Sequence, residues 1–160
     1  MKILAIGAHP DDIEILCAGT MAKFAKLGHE VFICHVCDGS KGSNIYTSEE
    51  IAAIRRKEAI ESAKIIGATS LTANIPDGEL IVDLESRIKI IDILRQTDPD
   101  LIITHSPDDY MSDHVNVSKL VFEATYLANL ANLANLVLWE TNFPATTKLP
   151  FHTIWTHYLD

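Results

Sequence analysis

The feature that most constrains the fold of this chain is a regular alternation of short apolar runs with longer stretches of helical spacing. The apolar runs predict strands at 3–6, 30–37, 71–75, 100–104 and 136–140. The stretches between them predict helices at 13–27, 48–66, 84–96 and 114–130. Strands that alternate with helices form mostly parallel sheets, because the crossover helices pack on the sheet faces. We therefore expect an α/β fold with a Rossmann-like, mostly parallel sheet and helices on both faces.

A turn rich in metal-ligand side chains follows the first predicted strand. His9-Pro10-Asp11-Asp12 comes directly after the run 3–6, and open α/β sheets bind ligands just past the carboxyl ends of their strands. Asp113-His114 follows the later run 101–104, so its side chains could converge on the same crevice. Two histidines and one aspartate would form a zinc site with one open position, and a second aspartate would remain to act as a base.

The same turn also has an interpretation that needs no metal. Pro10 presets the backbone of a turn, and Asp11 or Asp12 could cap the helix that begins near Ile13. A second histidine-bearing segment at another strand end favours the metal site. Both interpretations remain open at this point.

Composition narrows the range of partners. The formal net charge is -9 and the sequence pI is about 5.1, which argues against nucleic acid as a partner, since phosphate backbones are bound by clustered Lys and Arg. No apolar stretch is long enough to span a bilayer, and the N-terminus lacks the basic and long apolar segments of a secretion signal. We expect a cytoplasmic protein without a membrane-spanning segment.

Other kinds of site are disfavoured. The first turn lacks the G-x-G-x-x-G fingerprint of dinucleotide-binding proteins. The chain also contains no G-x-x-x-x-G-K-[ST] motif, which would indicate a phosphate-binding P-loop. Cys34-His35-Val36-Cys37 has C-x-x-C spacing, but it lies in a predicted strand rather than at a thiolate-activating helix start, so we predict that the cysteines are small core residues. The loop 38–42 is predicted either to cradle an anion with its amides or to be a flexible connection.

Taken in order along the chain, these segments resemble the LmbE-like, or PIG-L, family of deacetylases. The resemblance is carried by Ala8-His9-Pro10-Asp11-Asp12 with Glu14 and Gly19, by Arg55-Arg56-Lys57-Glu58-Ala59, and by His105-Ser106-Pro107-Asp108-Asp109-Tyr110 with Asp113-His114. Members are zinc-dependent hydrolases that remove acetyl groups from N-acetylglucosamine-type units. The resemblance implies Zn²⁺ as cofactor and a small N-acetylated sugar conjugate as substrate. Relatives often form homo-oligomers, so a homo-oligomer is a further expectation from the resemblance.

The resemblance assigns roles by position. The implied zinc ligands are His9, Asp12 and His114. Asp11 matches the family's general base, which takes a proton from the attacking water. Arg55 matches an arginine that faces the substrate, although an exposed helix arginine paired with Glu58 or Glu49 explains this position equally well.

The chain departs from the family pattern at the last motif. Relatives read His-Pro-Asp-His where this chain reads Met111-Ser112-Asp113-His114, and Met111 can neither donate a hydrogen bond to an oxyanion nor protonate a leaving amine. Another donor, His105 or Tyr110, would have to substitute. Asp113 orients the missing histidine in relatives, so here we expect it to support His114 or to cap a helix.

A second departure is at the C-terminus. The sequence ends about where relatives begin a further segment that closes over the substrate, so the resemblance implies one deacetylase domain over 1–160 without that segment. The two departures leave an alternative function open, namely a zinc- or sugar-binding relative with weak or no catalysis.

Overall fold

The computed structural model describes residues 1–128 and the strand 135–139, in which strands and helices alternate. The strands are β1 (Lys2–Gly7), β2 (Glu30–Cys37), β3 (Thr69–Ile75), β4 (Leu101–His105) and β5 (Asn135–Trp139). The helices are α1 (Asp12–Leu16), α2 (Ala18–Lys26), α3 (Ser48–Ile65), α4 (Leu84–Thr97) and α5 (Ser112–Leu127).

The strands form one parallel sheet in the order β3-β2-β1-β4-β5. The chain builds outward from β1 through β2 to β3, and then crosses back to place β4 on the other side of β1. The strand order therefore reverses between β1 and β4. Open α/β sheets bind ligands in the crevice at such a reversal, beyond the carboxyl ends of the strands. The predicted α/β fold is confirmed.

Helices cover both faces of the sheet. On one face, strand residues pack against α1, α2 and α3 in an apolar cluster that includes Ile3, Ala5, Val31, Ile33, Ile13, Met21 and Ala63. On the other face, strand residues pack against α4 and α5 in a cluster that includes Leu4, Ile6, Ile90, Leu94, Val117 and Leu120. Successive strand residues point to opposite faces, so a strand covered on both sides needs an unbroken apolar run. The run at 3–6 supplies it for β1.

Some helix ends differ from the prediction. The helix predicted over 13–27 is divided at Cys17. Thr47 rather than Ser48 caps α3, because its hydroxyl accepts from the Glu50 amide at 3.3 Å while the Glu50 carboxylate accepts from the Thr47 amide at 2.9 Å. Gly28 has a φ of 83° and follows α2, as predicted for a residue that ends a helix.

The C-terminal elements are described in part. α5 ends at Leu127 and β5 at Trp139, so the predicted continuations to 130 and 140 lie outside the described residues, as does the remainder of the predicted domain to 160. No helix in the described part of the chain is both long and apolar enough to cross a membrane.

Candidate metal and active site

The candidate site lies where β1 and β4, which pair in parallel, both end. After Gly7 the chain turns sharply, and the amides of Asp11 and Asp12 donate to the His9 carbonyl at 2.9 and 3.2 Å. A Cβ atom at position 7 would lie 3.1 Å from the Cβ of Asp12, so glycine gives this turn room to fold back on the strand. The turn brings its polar side chains beside the segment that follows β4.

The residues predicted as metal ligands lie close together. His9, Asp12 and His114 each offer a ligand atom within 4.8 Å of the others. His114 Nε2 is 3.4 Å from Asp12 Oδ1, and His9 Nδ1 is 3.6 Å from Asp12 Oδ2. Two ligand atoms bound to a tetrahedral zinc ion at about 2.0–2.1 Å are about 3.3–3.4 Å apart. The donor atoms are therefore spaced for a single ion.

Each of the two histidines is oriented by a carboxylate on the side away from Asp12. Asp109 Oδ2 lies 3.0 Å from His114 Nδ1, and Asp113 Oδ2 lies 3.0 Å from His9 Nε2. An ionised carboxylate can only accept, so it fixes the ring proton on the nitrogen that faces it and leaves a lone pair on the other nitrogen. His114 Nε2 is buried and has no hydrogen-bond partner among the described residues. A buried lone pair without a hydrogen-bond donor is a suitable ligand for a metal cation.

The protonation equilibria of the cluster also favour a cation. Burial alone would raise the pKa of Asp12, but the adjacent rings of His105, His114 and His9 hold it well below its usual range. Burial alone would lower the pKa of His9, but Asp12 and Asp113 outweigh burial and raise it to about 9. Asp12 is thus an ionised carboxylate among histidines. A divalent ion bound here could replace the positive charge that the protonated His9 ring supplies to Asp12.

His105 supports this cluster from beneath. Its side chain is fully buried, its Nε2 accepts from the Ala8 amide at 2.9 Å, and its ring stacks on His114 with centroids 3.9 Å apart. Burial is the main cause that lowers the pKa of His105, which favours the neutral ring that such acceptance needs. Of the two donors considered as substitutes for Met111, Tyr110 lines the open cleft and His105 does not.

The expectation that Asp113 supports His114 is wrong. Asp113 Oδ2 accepts from the Gly78 amide at 2.8 Å and pairs with His9, whereas Asp109 pairs with His114. Asp113 lies in the first turn of α5, and its carboxylate points across to the turn after β3 rather than back along its own helix. Sequence reasoning missed Asp109, although it belongs to the segment that carries the family resemblance.

Asp11 is a carboxylate of the turn after β1 that lies outside the ligand cluster of the described residues. It occupies the cap position of α1 but makes no capping hydrogen bond with its side chain. Its Oδ2 instead lies 3.1 Å from Arg55 Nη2. Burial and the charge of Asp12 raise the pKa of Asp11, while the charge of Arg55 opposes that rise. Arg55 also donates to Glu58 at 2.8 Å, and it lines the cleft. Arg55 therefore forms the ion pair within its helix and also faces the cleft.

An open cleft of about 660 Å³ gives access to these groups. Its lining includes Asp11, Arg55, Asp77, Tyr110 and Met111. The volume is within the range of small-molecule sites, about 300–1,000 Å³. Beside the cleft, the amides in the loop 39–42 already donate to protein oxygens, among them both carboxylate oxygens of Asp77. The loop therefore does not form the anion cradle considered from the sequence.

The cysteines agree with the prediction of core residues. All three are free thiols, and Cys34 and Cys37 are fully buried. Burial raises the pKa of Cys34 to about 12 and also raises that of Cys37. A raised pKa disfavours the thiolate form that redox reactions need.

Comparison with known proteins matches residues 4–125 to the family PIG-L, described as GlcNAc-PI de-N-acetylase. The diacetylchitobiose deacetylase of Thermococcus kodakarensis is 32% identical over 139 residues, which are 82% of this chain and 51% of that protein. The 4-oxalmesaconate hydratase of Pseudomonas putida is 26% identical over 133 residues, which are 78% of this chain and 52% of that protein. This chain spans about half the length of these curated relatives.

Among solved structures, the N,N'-diacetylchitobiose deacetylase from Pyrococcus horikoshii matches with a TM-score of 0.76 at 32% identity. The match covers 85% of this chain and 59% of that one.

Proposed function

Because the chain belongs to the PIG-L family of de-N-acetylases, which its residues 4–125 match, we propose that it is a zinc-dependent hydrolase that removes an acetyl group from an N-acetylglucosamine-type substrate. One observation carries the proposal: His9, Asp12 and His114 are spaced for one ion, with His9 Nδ1 and His114 Nε2 both facing the Asp12 carboxylate. Asp11 stands beside them with no helix-capping role. We further propose that residues 1–160 act as one deacetylase domain.

The donor set fits zinc. Two neutral imidazoles and one carboxylate form a common catalytic zinc site, in which the fourth position is left for water or substrate. An ion bound there would supply a water of lowered pKa and would polarise the substrate carbonyl. Asp109 and Asp113 orient the two imidazoles, and such outer partners typically contribute about 10–100-fold in metal affinity.

Asp11 is the proposed general base. It accepts a proton from the attacking water as the water oxygen bonds to the acetamide carbonyl carbon. It then holds that proton near the C–N bond, whose nitrogen must be protonated to leave as an amine. The raised pKa of Asp11 supports this role, because a base works best with a pKa near the working pH. Arg55 holds the Asp11 carboxylate at 3.1 Å and is proposed to face the substrate.

The proposed substrate is a small N-acetylated sugar conjugate. Two supports are the diacetylchitobiose deacetylases of T. kodakarensis and P. horikoshii, each 32% identical to this chain. A third is the open cleft, in which polar and charged side chains are available to sugar hydroxyl groups. We propose Tyr110 as the donor that replaces the family histidine at position 111, because Tyr110 lines this cleft.

A second candidate function is the addition of water to a carbon–carbon double bond. It is favoured by the 26% identity to 4-oxalmesaconate hydratase, and an activated water beside a carboxylate base could serve either reaction. The binding role with weak catalysis also stands as an alternative, since Met111 cannot donate a proton.

Acetate release from N,N'-diacetylchitobiose by the purified, zinc-loaded protein tests the proposal. Asp11→Asn should retain zinc but lose activity by about 10²–10⁴-fold, the usual contribution of a general base. Glu58→Gln is the matched control, because it neutralises a carboxylate that also pairs with Arg55 but stands apart from the ligand cluster. Full zinc loading without acetate release would contradict the proposal, and hydration of 4-oxalmesaconate would favour the second candidate.

A further inference from the structure

We propose a second ion site, selective for thiophilic divalent ions, formed by His9 Nε2, Cys37, Asp77 and Asp113. It lies on the opposite side of the His9 ring from the proposed zinc site. The inference rests on the proposed function in one respect, namely that His9 belongs to both sites.

Three of the four groups form a cluster of potential ligands, and the fourth contacts two of them. His9, Cys37 and Asp77 each have a ligand atom within 4.8 Å of the others. Asp113 Oδ2 is 3.0 Å from His9 Nε2 and 4.0 Å from Cys37 Sγ. With zinc bonds of about 2.0 Å to N and O and about 2.3 Å to S, the tetrahedral edges are about 3.3 Å for N···O and about 3.5 Å for S···O. The separations among His9, Cys37 and Asp77, which are at most 4.8 Å, would have to shorten by up to about 1.5 Å to complete the site.

The chemistry of the donors selects a soft ion. A thiolate with an imidazole favours Zn²⁺ or Cd²⁺, whereas Mg²⁺ and Ca²⁺ prefer oxygen ligands alone. When the ion binds, the S–H bond of Cys37 breaks, the sulfur bonds to the ion and the proton passes to solvent. Asp113 Oδ2 can keep the Gly78 amide as a donor, because an oxygen has more than one lone pair.

An ion can reach this site. Asp77 and His9 line the open cleft. Cys37 lines a separate cavity of about 250 Å³, which shares Pro10 with the cleft. The buried thiol therefore has a cavity beside it, and the other ligands are open to the cleft.

The two sites compete for one imidazole. His9 faces the proposed zinc site through Nδ1, which lies 3.6 Å from Asp12 Oδ2, and faces Asp113 through Nε2, 3.0 Å away. An ion bound to Nε2 would part the ring from the Asp113 carboxylate that now holds it at 3.0 Å, and would thereby disturb the position of His9 in the zinc site. The second ion is therefore an inhibitor, and excess zinc itself can play that part.

Cadmium titration of the full chain, followed by the ultraviolet absorption of a thiolate–cadmium bond, tests the second site without reference to activity. The band should appear in the parent protein and disappear in Cys37→Ser. It should persist in the controls Cys17→Ser and Cys34→Ala, which remove the other two thiols. It should also persist in His114→Ala, which damages only the proposed zinc site.

Inhibition is measured in parallel. Loss of an outer partner of a metal ligand alone typically costs about 10–100-fold in affinity, so Cys37→Ser should raise the inhibitory concentration of excess zinc at least about tenfold. If circular dichroism shows that Cys37→Ser does not fold, a tenfold weaker cadmium affinity in folded Asp77→Asn supports the site, and an unchanged affinity overturns it. A band that survives in folded Cys37→Ser, or no band in the parent, also overturns it. A Cys37-dependent band without any acetate release would contradict the proposed function alone.

Discussion

Asp109→Asn tests whether the metal site depends on the carboxylate that orients His114. Asp109 Oδ2 lies 3.0 Å from His114 Nδ1, and neither side chain is more than 5% exposed. The substitution keeps the size of the side chain but removes its charge and replaces one acceptor with a donor. The His114 ring can then turn, or change tautomer, so that Nε2 no longer offers its lone pair to the ion.

The magnitude follows from the kind of bond that is lost. A hydrogen bond to a charged group contributes about 1.5–3 kcal/mol. Since about 1.4 kcal/mol corresponds to a tenfold change in an equilibrium constant, zinc affinity should fall by about 10–100-fold, as is typical for an outer partner of a ligand. Competition with a chromophoric zinc chelator measures the affinity directly.

Asp108→Asn is the matched control. Asp108 is the exposed neighbour in the same loop, and its substitution changes the net charge equally. Zinc affinity in this control should stay within about twofold of the parent, as expected for an exposed charge. Equal affinities in both variants would refute the argument that Asp109 orients a ligand.

Three further predictions concern the cleft. Arg55→Ala removes the charge that lowers the pKa of Asp11, so this pKa should rise further and the acidic limb of the pH profile of kcat/KM should move to higher pH. Gly39→Ala should lower the free energy of unfolding by about 1–3 kcal/mol in urea titration, because φ is +77° and the new Cβ lies 2.8 Å from Arg55 Cγ. In a Tyr110→Phe background, which removes the proposed donor, Met111→His should raise kcat on N,N'-diacetylchitobiose with KM unchanged, since a proton donor acts in the transition state.

The fold could be predicted because its central strand is covered on both faces. A run such as Ile3-Leu4-Ala5-Ile6, fully buried in β1, cannot be confused with an amphipathic surface strand. The ends of the helices were harder to predict. Thr47 and Ser48 are both good cap residues, and only the reciprocal bonds with Glu50 decide between them.

The site could be predicted as a set of residues more readily than as a set of contacts. Placing His9 and His114 in the segments that follow two strands needed only periodicity and the family resemblance. Pairing them needed the strand order that sets β4 beside β1. The partners of the two rings depend on where each carboxylate points within the segment after β4, so local spacing assigned Asp113 to the wrong histidine.

Cys37 shows a different limit of sequence reasoning. Its place in a predicted strand correctly indicated a core residue, but its neighbours depend on the register shift between His35 and Cys37 and on the end of β2. There the Cys37 amide donates to the Ala8 carbonyl at 2.7 Å. That bond joins the end of β2 to the turn that carries His9.

The central claim is that one ion binds beyond the carboxyl ends of β1 and β4, and crystals grown with one equivalent of zinc test it most directly. An anomalous difference map should contain one peak per chain, within about 2.0–2.2 Å of His9 Nδ1, an Asp12 carboxylate oxygen and His114 Nε2. The peak should be absent from His114→Ala crystals grown in the same way. A zinc-saturated crystal with no peak among these three residues, or with its peak elsewhere, would contradict the account.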